Sequence, residues 1–238
     1  MKLKRLTTPT AVIASLLAAS SLSHAAMVLV SYEFTTDSTD NEYEADNPTA
    51  FQATTTAANV SATSFGGGGG SFNPLVLGGA DVIHISEGNG LQDGTAANMD
   101  AAVAADQYFT FTVTADGGYS LDLQNLTFDI NHGARGATDY AIRSSVDGFT
   151  ANIVYASPGI TGTSTGQDID LSAVDFNSLS SVEFRIYLDN RINNNSGGAS
   201  NVLDNVILNG DVNAVPEPSS LAMLLGGMGV LMFGRRRK

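Results

Sequence analysis

The sequence predicts an all-β body, a jelly-roll-like antiparallel β-sandwich, between an N-terminal signal peptide and a short C-terminal hydrophobic helix. Apolar residues alternate with polar ones through most of residues 28–212, which is the pattern of half-buried strands. Clusters of Gly, Asn, Asp and Ser interrupt this alternation at short intervals, as turns do in sandwich proteins. Only residues 98–106 have the composition of a short helix.

The clearest strand is predicted at residues 108–114. Phe109, Phe111 and Val113 fall on one face, and three threonines fall on the other. Residues 115–118, Ala-Asp-Gly-Gly, then predict a turn. The apolar face of this strand is therefore expected to lie in the core.

The other strands follow from the same alternation. In residues 119–130 the phase slips around Gln124 and Asn125, which predicts a β-bulge or a short turn. Asp147 and Gly148 form a hairpin signal between two strands. The glycine run at 66–71 predicts a flexible tip or linker. Further strands are predicted at residues 138–146, 151–156, 182–188 and 202–209.

The segment 26–214 is strongly acidic. It contains no lysine, four arginines and 23 acidic residues, which gives it a formal net charge of −19. Such a surface excludes nucleic acid as a partner, because nucleic-acid binding needs a basic footprint. The absence of cysteine excludes disulfides, thiolate catalysis and cysteine-based metal sites. The length of this segment fits one domain, and it is long enough to bury a stabilising hydrophobic core without disulfides.

Residues 1–25 predict a secretory signal peptide. Three basic residues precede a mostly apolar run at 11–22, and small residues lie before the junction of Ala25 and Ala26. Cleavage after Ala25 would release an exported chain. A buried N-terminal helix is the alternative interpretation of this segment.

The C-terminus carries an apolar run at residues 219–234. As a helix these sixteen residues measure about 24 Å, against a bilayer core of about 30 Å. Cations favour the cytoplasmic side, which places the acidic body outside the inner membrane. The cations that stop the run are Arg235, Arg236, Arg237 and Lys238.

The tetrapeptide before the apolar run consists of Val215, Pro216, Glu217 and Pro218. Its prolines keep the chain extended and accessible. Together with the apolar run and the cationic end, it resembles the PEP-CTERM sorting signal of Gram-negative bacteria. Four runs, at residues 108–130, 143–149, 184–190 and 202–210, also resemble the jelly-roll ectodomains that commonly precede such tails.

This resemblance implies a partner, a route and a location. A membrane-embedded exosortase is expected to recognise the tail and to act at or near the Pro-Glu-Pro step. The chain would pass through an inner-membrane intermediate to the cell surface or to an exopolysaccharide matrix, as in biofilms. The chain then divides into a signal peptide at 1–25, an ectodomain at 26–214 and a sorting signal at 215–238. A plain membrane anchor without processing is the alternative.

An acidic run at residues 37–46 is the first candidate metal site. Calcium takes several carboxylate oxygens, but the spacing is not that of an EF-hand, and solvated surface charges are the alternative. Asp168 with Asp170, and Asp189 with nearby asparagines, can supply similar ligands or form turns. No cofactor is expected apart from this calcium. The candidate ligands in the run are Asp37, Asp40, Glu42, Glu44 and Asp46.

No catalytic motif is visible in the sequence. After removal of the signal peptide two histidines remain, His84 in an alternating strand pattern and His132 in a predicted turn. Neither an HExxH nor a GxSxG pattern occurs. We therefore expect a non-enzymatic structural or adhesive protein. A secreted hydrolase whose site is not visible in the sequence is one alternative.

A carbohydrate-binding module is the other alternative. Sugars bind to flat aromatic surfaces flanked by polar groups that form paired hydrogen bonds. Tyr108, Arg143, Arg185 and Tyr187 are predicted on outward strand positions, where they can bind a glycan. The same residues can instead form ordinary cross-strand contacts.

Overall fold

The fold is that of a computed structural model, which describes residues 27–34, 52–68, 74–76, 83–85, 98–104, 108–132, 137–157, 165–191 and 201–215. The predicted signal peptide, the acidic run at 37–46 and the tail from residue 216 onward lie outside these residues.

The described residues are mostly strand, with one α-helix. The helix α1 spans Asn98–Ala104. The strands are β1 Met27–Tyr32, β2 Thr55–Thr56, β3 Val60–Ala62, β4 Gly66–Gly68, β5 Pro74–Val76, β6 Ile83–Ile85, β7 Tyr108–Ala115, β8 Tyr119–His132, β9 Ala137–Ser144, β10 Val154–Ala156, β11 Thr165–Asp170, β12 Ser181–Arg191 and β13 Asn201–Ala214.

These strands form two sheets, and all the described pairs are antiparallel. Sheet I has the order β11-β8-β13-β1-β2, with β6 also paired to β13 and β5 to β6. Sheet II has the order β10-β9-β12-β7-β3, with β4 also paired to β7. The inner faces of the two sheets share one hydrophobic core. The antiparallel β-sandwich predicted from the sequence is therefore confirmed.

Aromatic rings fill much of the core between the sheets. Phe65 packs against Tyr32, Phe34 and Phe111, with ring centroids 5.1–5.7 Å apart. The Tyr32 hydroxyl donates to the Thr63 carbonyl at 2.7 Å, so this buried polar group is satisfied. Burial raises the pKa of Tyr32 above its usual value.

Several local predictions agree with this fold. The burial of β7 alternates as predicted. The phase slip in β8 is a bulge, because Asn209 pairs with Asn125 while Gly210 pairs with Leu123, leaving Gln124 as the extra residue.

The predicted hairpin and helix also agree. At the end of β9 a 3-10 turn ends at Gly148, whose φ of 70° favours glycine. His84 lies in β6, as its alternating neighbours predicted. The helix α1 lies within the predicted residues 98–106.

Three local predictions were wrong. Gly66–Gly68, expected in a flexible tip, is strand β4 and pairs with the first residues of β7. Backbone pairing with β7 stabilises these glycines as a strand, which a glycine run does not form by itself. His132 ends β8 opposite Asn201 and is not in a turn. Of the two interpretations of Asp168, ligand or turn former, the turn is wrong, because Asp168 lies within β11, which pairs with β8 through Asp170.

Candidate functional site

The outer face of sheet II brings the four predicted sugar-binding residues together. Strand register places Arg143 of β9 opposite Arg185 of β12, and Tyr187 opposite Ala141. Tyr108 begins β7, and its ring centroid lies 5.4 Å from that of Tyr187 at an angle of 64°. The alternation of polar and apolar residues predicted that these four side chains lie on outward positions. The order of the strands in the sheet is what brings them close together. We call this group, together with Phe149 and Glu183, the aromatic–arginine cluster.

Arg185 lies at the centre of the aromatic–arginine cluster. Its guanidinium carbon is 4.3 Å from the ring centroid of Tyr108 and 3.7 Å from that of Phe149. Its Nε donates to Glu183 Oε1 at 2.8 Å, and Thr110 donates to the same oxygen at 3.2 Å. Burial lowers the pKa of Arg185, but hydrogen bonds to Glu183 and Tyr187 outweigh this and hold the pKa above its usual value. These contacts offset the repulsion expected between two arginines on facing strands.

Arg143 holds the loop that follows β9. Its Nε donates to Asn152 Oδ1 at 2.7 Å and its Nη1 donates to the Phe149 carbonyl at 2.9 Å. Phe149 has a φ of 62°, which is uncommon outside glycine. By fixing this backbone, Arg143 presents the Phe149 ring to Arg185.

The carboxylate of Asp147 organises the same loop. It accepts hydrogen bonds from the backbone N–H groups of Thr150 and Ala151, at 3.3 and 2.8 Å. Slight burial raises the pKa of Asp147, but the hydrogen bonds from Ala151 and Thr150 outweigh it and hold the pKa below its usual value. The loop is therefore built by hydrogen bonds to an ionised carboxylate.

Tyr187 is covered, although it lies on the outer face. It is 1% exposed and packs with Ala141 under Met99 of α1. Val103 and Tyr108 flank this contact. The Arg143 guanidinium carbon also lies 5.8 Å from the ring centroid of Tyr187, so this buried ring is not accessible to a sugar.

Tyr155 is an exposed aromatic side chain on this face, and the sequence analysis did not identify it. It is 45% exposed and lies opposite Ala141 in the β9–β10 pair. Its hydroxyl donates to Asp139 Oδ2 at 2.8 Å, and Asp139 itself is buried. The hairpin signal at Asp147 and Gly148 was the available clue, because it places β10 beside β9 with matching outer positions.

A second candidate region is an open groove of about 460 Å³ beside sheet I. It is lined by Gln124, Asn125, Asp168, Asp170 and Ser172. Asn125 Nδ2 donates to Asp168 Oδ1 at 2.8 Å, and the Ser172 N–H donates to Asp170 Oδ1 at 2.8 Å. Hydrogen bonds from Ser172 lower the pKa of Asp170. Both carboxylates thus have structural partners.

The metal predictions concern mainly residues outside the structure's coverage. The five carboxylates of the acidic run lie there, and for Asp189 only the backbone position, opposite Asp139, is described. Within the described ranges no group of three or more His, Asp or Glu side chains is placed to hold a metal ion.

The last feature is the point where the chain leaves the sandwich. The end of β13 pairs Ala214 with Tyr119, and the Val215 N–H donates to the Gly118 carbonyl at 2.8 Å. Pro216, Glu217, Pro218 and the cationic end lie beyond the described residues. In the part of the chain that the structure covers, no helix is long and apolar enough to cross a membrane.

The solved structures to which the chain is similar include carbohydrate-binding modules and an adhesin domain. A mutant of the family 29 carbohydrate-binding module CBM29-2, complexed with mannohexaose, is 13% identical over 78% of this chain and 93% of its own, with a TM-score of 0.37. The family 11 carbohydrate-binding module of Lic26A-Cel5E from Clostridium thermocellum is 14% identical over 68% and 92%, with a TM-score of 0.30. The K3 adhesin domain of Lys-gingipain from Porphyromonas gingivalis is 14% identical over 53% and 72%, with a TM-score of 0.28. Among curated proteins no sequence matches this chain.

The family comparison identifies the C-terminal tail. Residues 214–238 match the PEP-CTERM protein-sorting motif. This range includes the tetrapeptide and the cationic end on which the sequence resemblance rested. Of its first two residues, Ala214 pairs with Tyr119 at the start of β8, and Val215 donates to Gly118 in the turn before that strand. The chain is therefore an antiparallel β-sandwich protein that carries a C-terminal PEP-CTERM sorting motif.

Proposed function

We propose that this protein is an exosortase-sorted component of the cell surface or of the exopolysaccharide matrix, with a structural or adhesive, non-enzymatic sandwich. The sorting motif carries this proposal. It implies processing by an exosortase and export through a membrane-anchored intermediate to the cell surface. Since the motif begins at the last residue of β13, the sandwich is the cargo that it delivers.

The chemistry of the described side chains supports a structural role for the sandwich. Asp147, Asp170 and Asp122 accept backbone N–H groups of neighbouring loops. Arg143 and Arg185 bind loop and strand partners within the protein. These ionised groups serve to hold loops against the sheets.

The proposed topology combines both ends of the chain. Cleavage after Ala25 releases the N-terminus outside the inner membrane, while residues 219–234 hold the C-terminus in the bilayer transiently. The four terminal cations stay on the cytoplasmic side. A net charge of −19 keeps the exported ectodomain soluble and repels nucleic acid.

The sorting function is tested by following the C-terminus of the protein in cells. In cells with exosortase, mass spectrometry of the surface-associated chain is expected to find it without residues 235–238. In cells that lack exosortase, the chain is expected in the inner membrane with those residues attached. Alanine replacements of Pro216 and Pro218 serve as the motif control. A surface chain that retains Arg235 to Lys238 would contradict exosortase processing.

We propose glycan binding as a second candidate function, supported by the outer face of sheet II. Tyr155 offers an exposed ring whose hydroxyl is oriented by Asp139. Arg143 lies two residues after Ala141, the partner of Tyr155 in the β9–β10 pair, and with Asn152 it supplies polar groups on the adjoining strand and loop. Exposed aromatic rings beside fixed polar groups suit sugar recognition. The ligand would be the exopolysaccharide of the producing cell.

Co-sedimentation of the ectodomain with that exopolysaccharide tests the second candidate. Tyr155→Ala is expected to abolish binding, and Tyr155→Phe to retain most of it. Val174→Ala is the matched control, because Val174 is also exposed and apolar but lies near sheet I, after β11. Binding that Tyr155→Ala leaves intact would rule out this face.

The same co-sedimentation assay in the presence of a chelator tests calcium binding at residues 37–46. Loss of glycan binding in chelator would support that calcium site.

A further inference from the structure

The last five residues of the sandwich, Asp211–Val215, are held differently from the rest of β13. We call them the terminal segment. Strand β1 pairs with β13 only as far as Gly210, so among the described strands the terminal segment is paired on the β8 side alone. None of its side chains is fully buried, and the last three residues are exposed.

Gly210 marks the boundary of the tightly packed part of β13. A methyl group there would collide with the carbonyl oxygen of Asp122 and would approach Leu29 Cδ1 to 2.9 Å. Leu208, two residues earlier, is completely buried. Separation of the strand from its C-terminal end therefore displaces only the partly buried Val212 from the core before it reaches the tightly packed Gly210.

The terminal segment is retained on β8 by its backbone ladder, by the packing of Val212 on the core and by a small set of further hydrogen bonds. Besides the backbone ladder, the Val215 N–H donates to the Gly118 carbonyl at 2.8 Å. Asn213 Nδ2 donates to Asp122 Oδ2 at 2.8 Å, and Gln124 Nε2 donates to Asp211 Oδ2 at 3.1 Å. These are partly or fully solvent-exposed hydrogen bonds, which open most readily in a folded protein.

The sequence places few residues between the end of the sandwich and the apolar run. Only Pro216, Glu217 and Pro218 separate Val215 from the apolar run that begins at Ser219. Fully extended, three residues span about 10 Å. Enzymes that bind an extended peptide use backbone pairing along it, and neither proline can donate an N–H. Three residues are therefore a short substrate for an enzyme that must bind on both sides of the processed bond.

We propose that the terminal segment detaches from β8 and forms the upstream part of the peptide that the membrane-embedded processing enzyme binds. Detachment adds five residues, or about 17 Å of extended chain, to the accessible substrate. It also frees backbone N–H and C=O groups that can pair with the enzyme. This proposal rests on the sorting function proposed above and names the enzyme's contact on the sandwich.

A disulfide across the terminal segment tests the proposal. Because Val215 donates to Gly118, the adjacent pair of Ala214 and Tyr119 is a non-hydrogen-bonded pair, with Cα atoms about 4.5 Å apart. That separation suits a disulfide. The variant Tyr119→Cys/Ala214→Cys would hold the only cysteines of the chain, and they would oxidise after export.

A matched control locks the neighbouring strands and leaves β13 free. Thr114 and Ser181 face each other with hydroxyl oxygens 2.8 Å apart. The adjacent Ala115 N–H donates to the Ser180 carbonyl at 2.9 Å, so theirs is also a non-hydrogen-bonded pair. The variant Thr114→Cys/Ser181→Cys is therefore expected to form the same kind of cross-strand disulfide, between β7 and β12.

The readout is the loss of the C-terminal residues from the full chain in exosortase-containing cells. The oxidised Tyr119→Cys/Ala214→Cys chain is expected to accumulate with its tail attached, while wild type and the control are processed. Reduction of that disulfide, or a Gly-Ser insertion between Ala214 and Val215, is expected to restore processing. The insertion in the unlocked chain is expected to accelerate it.

Results at two levels would overturn the reasoning. If the oxidised chain is processed as fast as the control, the terminal segment does not need to detach. If reduction fails to restore processing of the locked chain, the disulfide is not what blocks processing, and the proposal is overturned in the same way. If wild type itself keeps its tail, the sorting function fails, and this inference fails with it. The two failures are distinguished by the wild-type chain alone.

Discussion

Gly210 offers the sharpest test of the packing in sheet I. Its φ is not in the left-handed region, so the substitution Gly210→Ala changes the space occupied and not the allowed backbone. The added Cβ would collide with the Asp122 carbonyl, lie 2.9 Å from Leu29 Cδ1 and lie 3.1 Å from Leu123 Cα. Two of these three neighbours are backbone atoms of β8, so relief requires the two central strands to move apart.

The cost of Gly210→Ala follows from the overpacking of a close-packed core. We expect a loss of about 1–3 kcal/mol in the free energy of unfolding. For a chain of this size each kcal/mol lowers Tm by about 2–4 °C, so a loss near the middle of the range gives about 4–8 °C.

The assay is thermal unfolding of the exported ectodomain, followed by far-ultraviolet circular dichroism because the chain contains no tryptophan. Gly66→Ala is the matched control, since it also replaces a strand glycine but has no atom within 4 Å of the added Cβ. At such a site the change to alanine is expected to be neutral or to stabilise by about 0.4–1 kcal/mol. Equal Tm values for the two variants would refute the close approach of β13 to β8.

Two further predictions concern the aromatic–arginine cluster and the loop beside it. Arg185→Gln removes the cation from between Tyr108 and Phe149, and is expected to lower the free energy of unfolding by about 1 kcal/mol. Urea denaturation measures this loss, and an unchanged urea midpoint would show that these contacts do not stabilise the fold. Asp147 has a lowered pKa when folded, so its stabilisation is present above its unfolded value of about 3.9 and is lost as pH falls through the folded pKa. The Tm of Asp147→Asn is therefore expected to depend less on pH between about pH 5 and pH 2 than that of wild type, and parallel curves would contradict this.

Much of the fold was predictable because strand alternation is a local signal. The buried face of β7, the bulge at Gln124 and the turn at Gly148 each depend on residues that are neighbours in the chain. The outer positions of Arg143 and Arg185 were predictable for the same reason. The C-terminal tail could also be identified from the sequence alone, since a sorting motif is recognised as a linear segment.

The candidate site could be predicted only in part. The sequence named Tyr108, Arg143, Arg185 and Tyr187 but not Phe149 or Tyr155. Phe149 joins Arg185 because Arg143 holds the loop after β9, a contact with no periodic signal in the sequence. Tyr155 joins this face only because β10 pairs with β9.

The sequence by itself determined the class of fold, the inner and outer faces of the long strands and the sorting tail, because each follows from local periodicity or from a linear motif. Only the tertiary structure decided that Arg143 lies opposite Arg185, that α1 covers Tyr187 and that β4 pairs with β7. Only it placed the first residues of the sorting motif within sheet I. The physical reason is that strand order and register are chosen by the packing of both sheets against one core, through contacts between residues far apart in the chain.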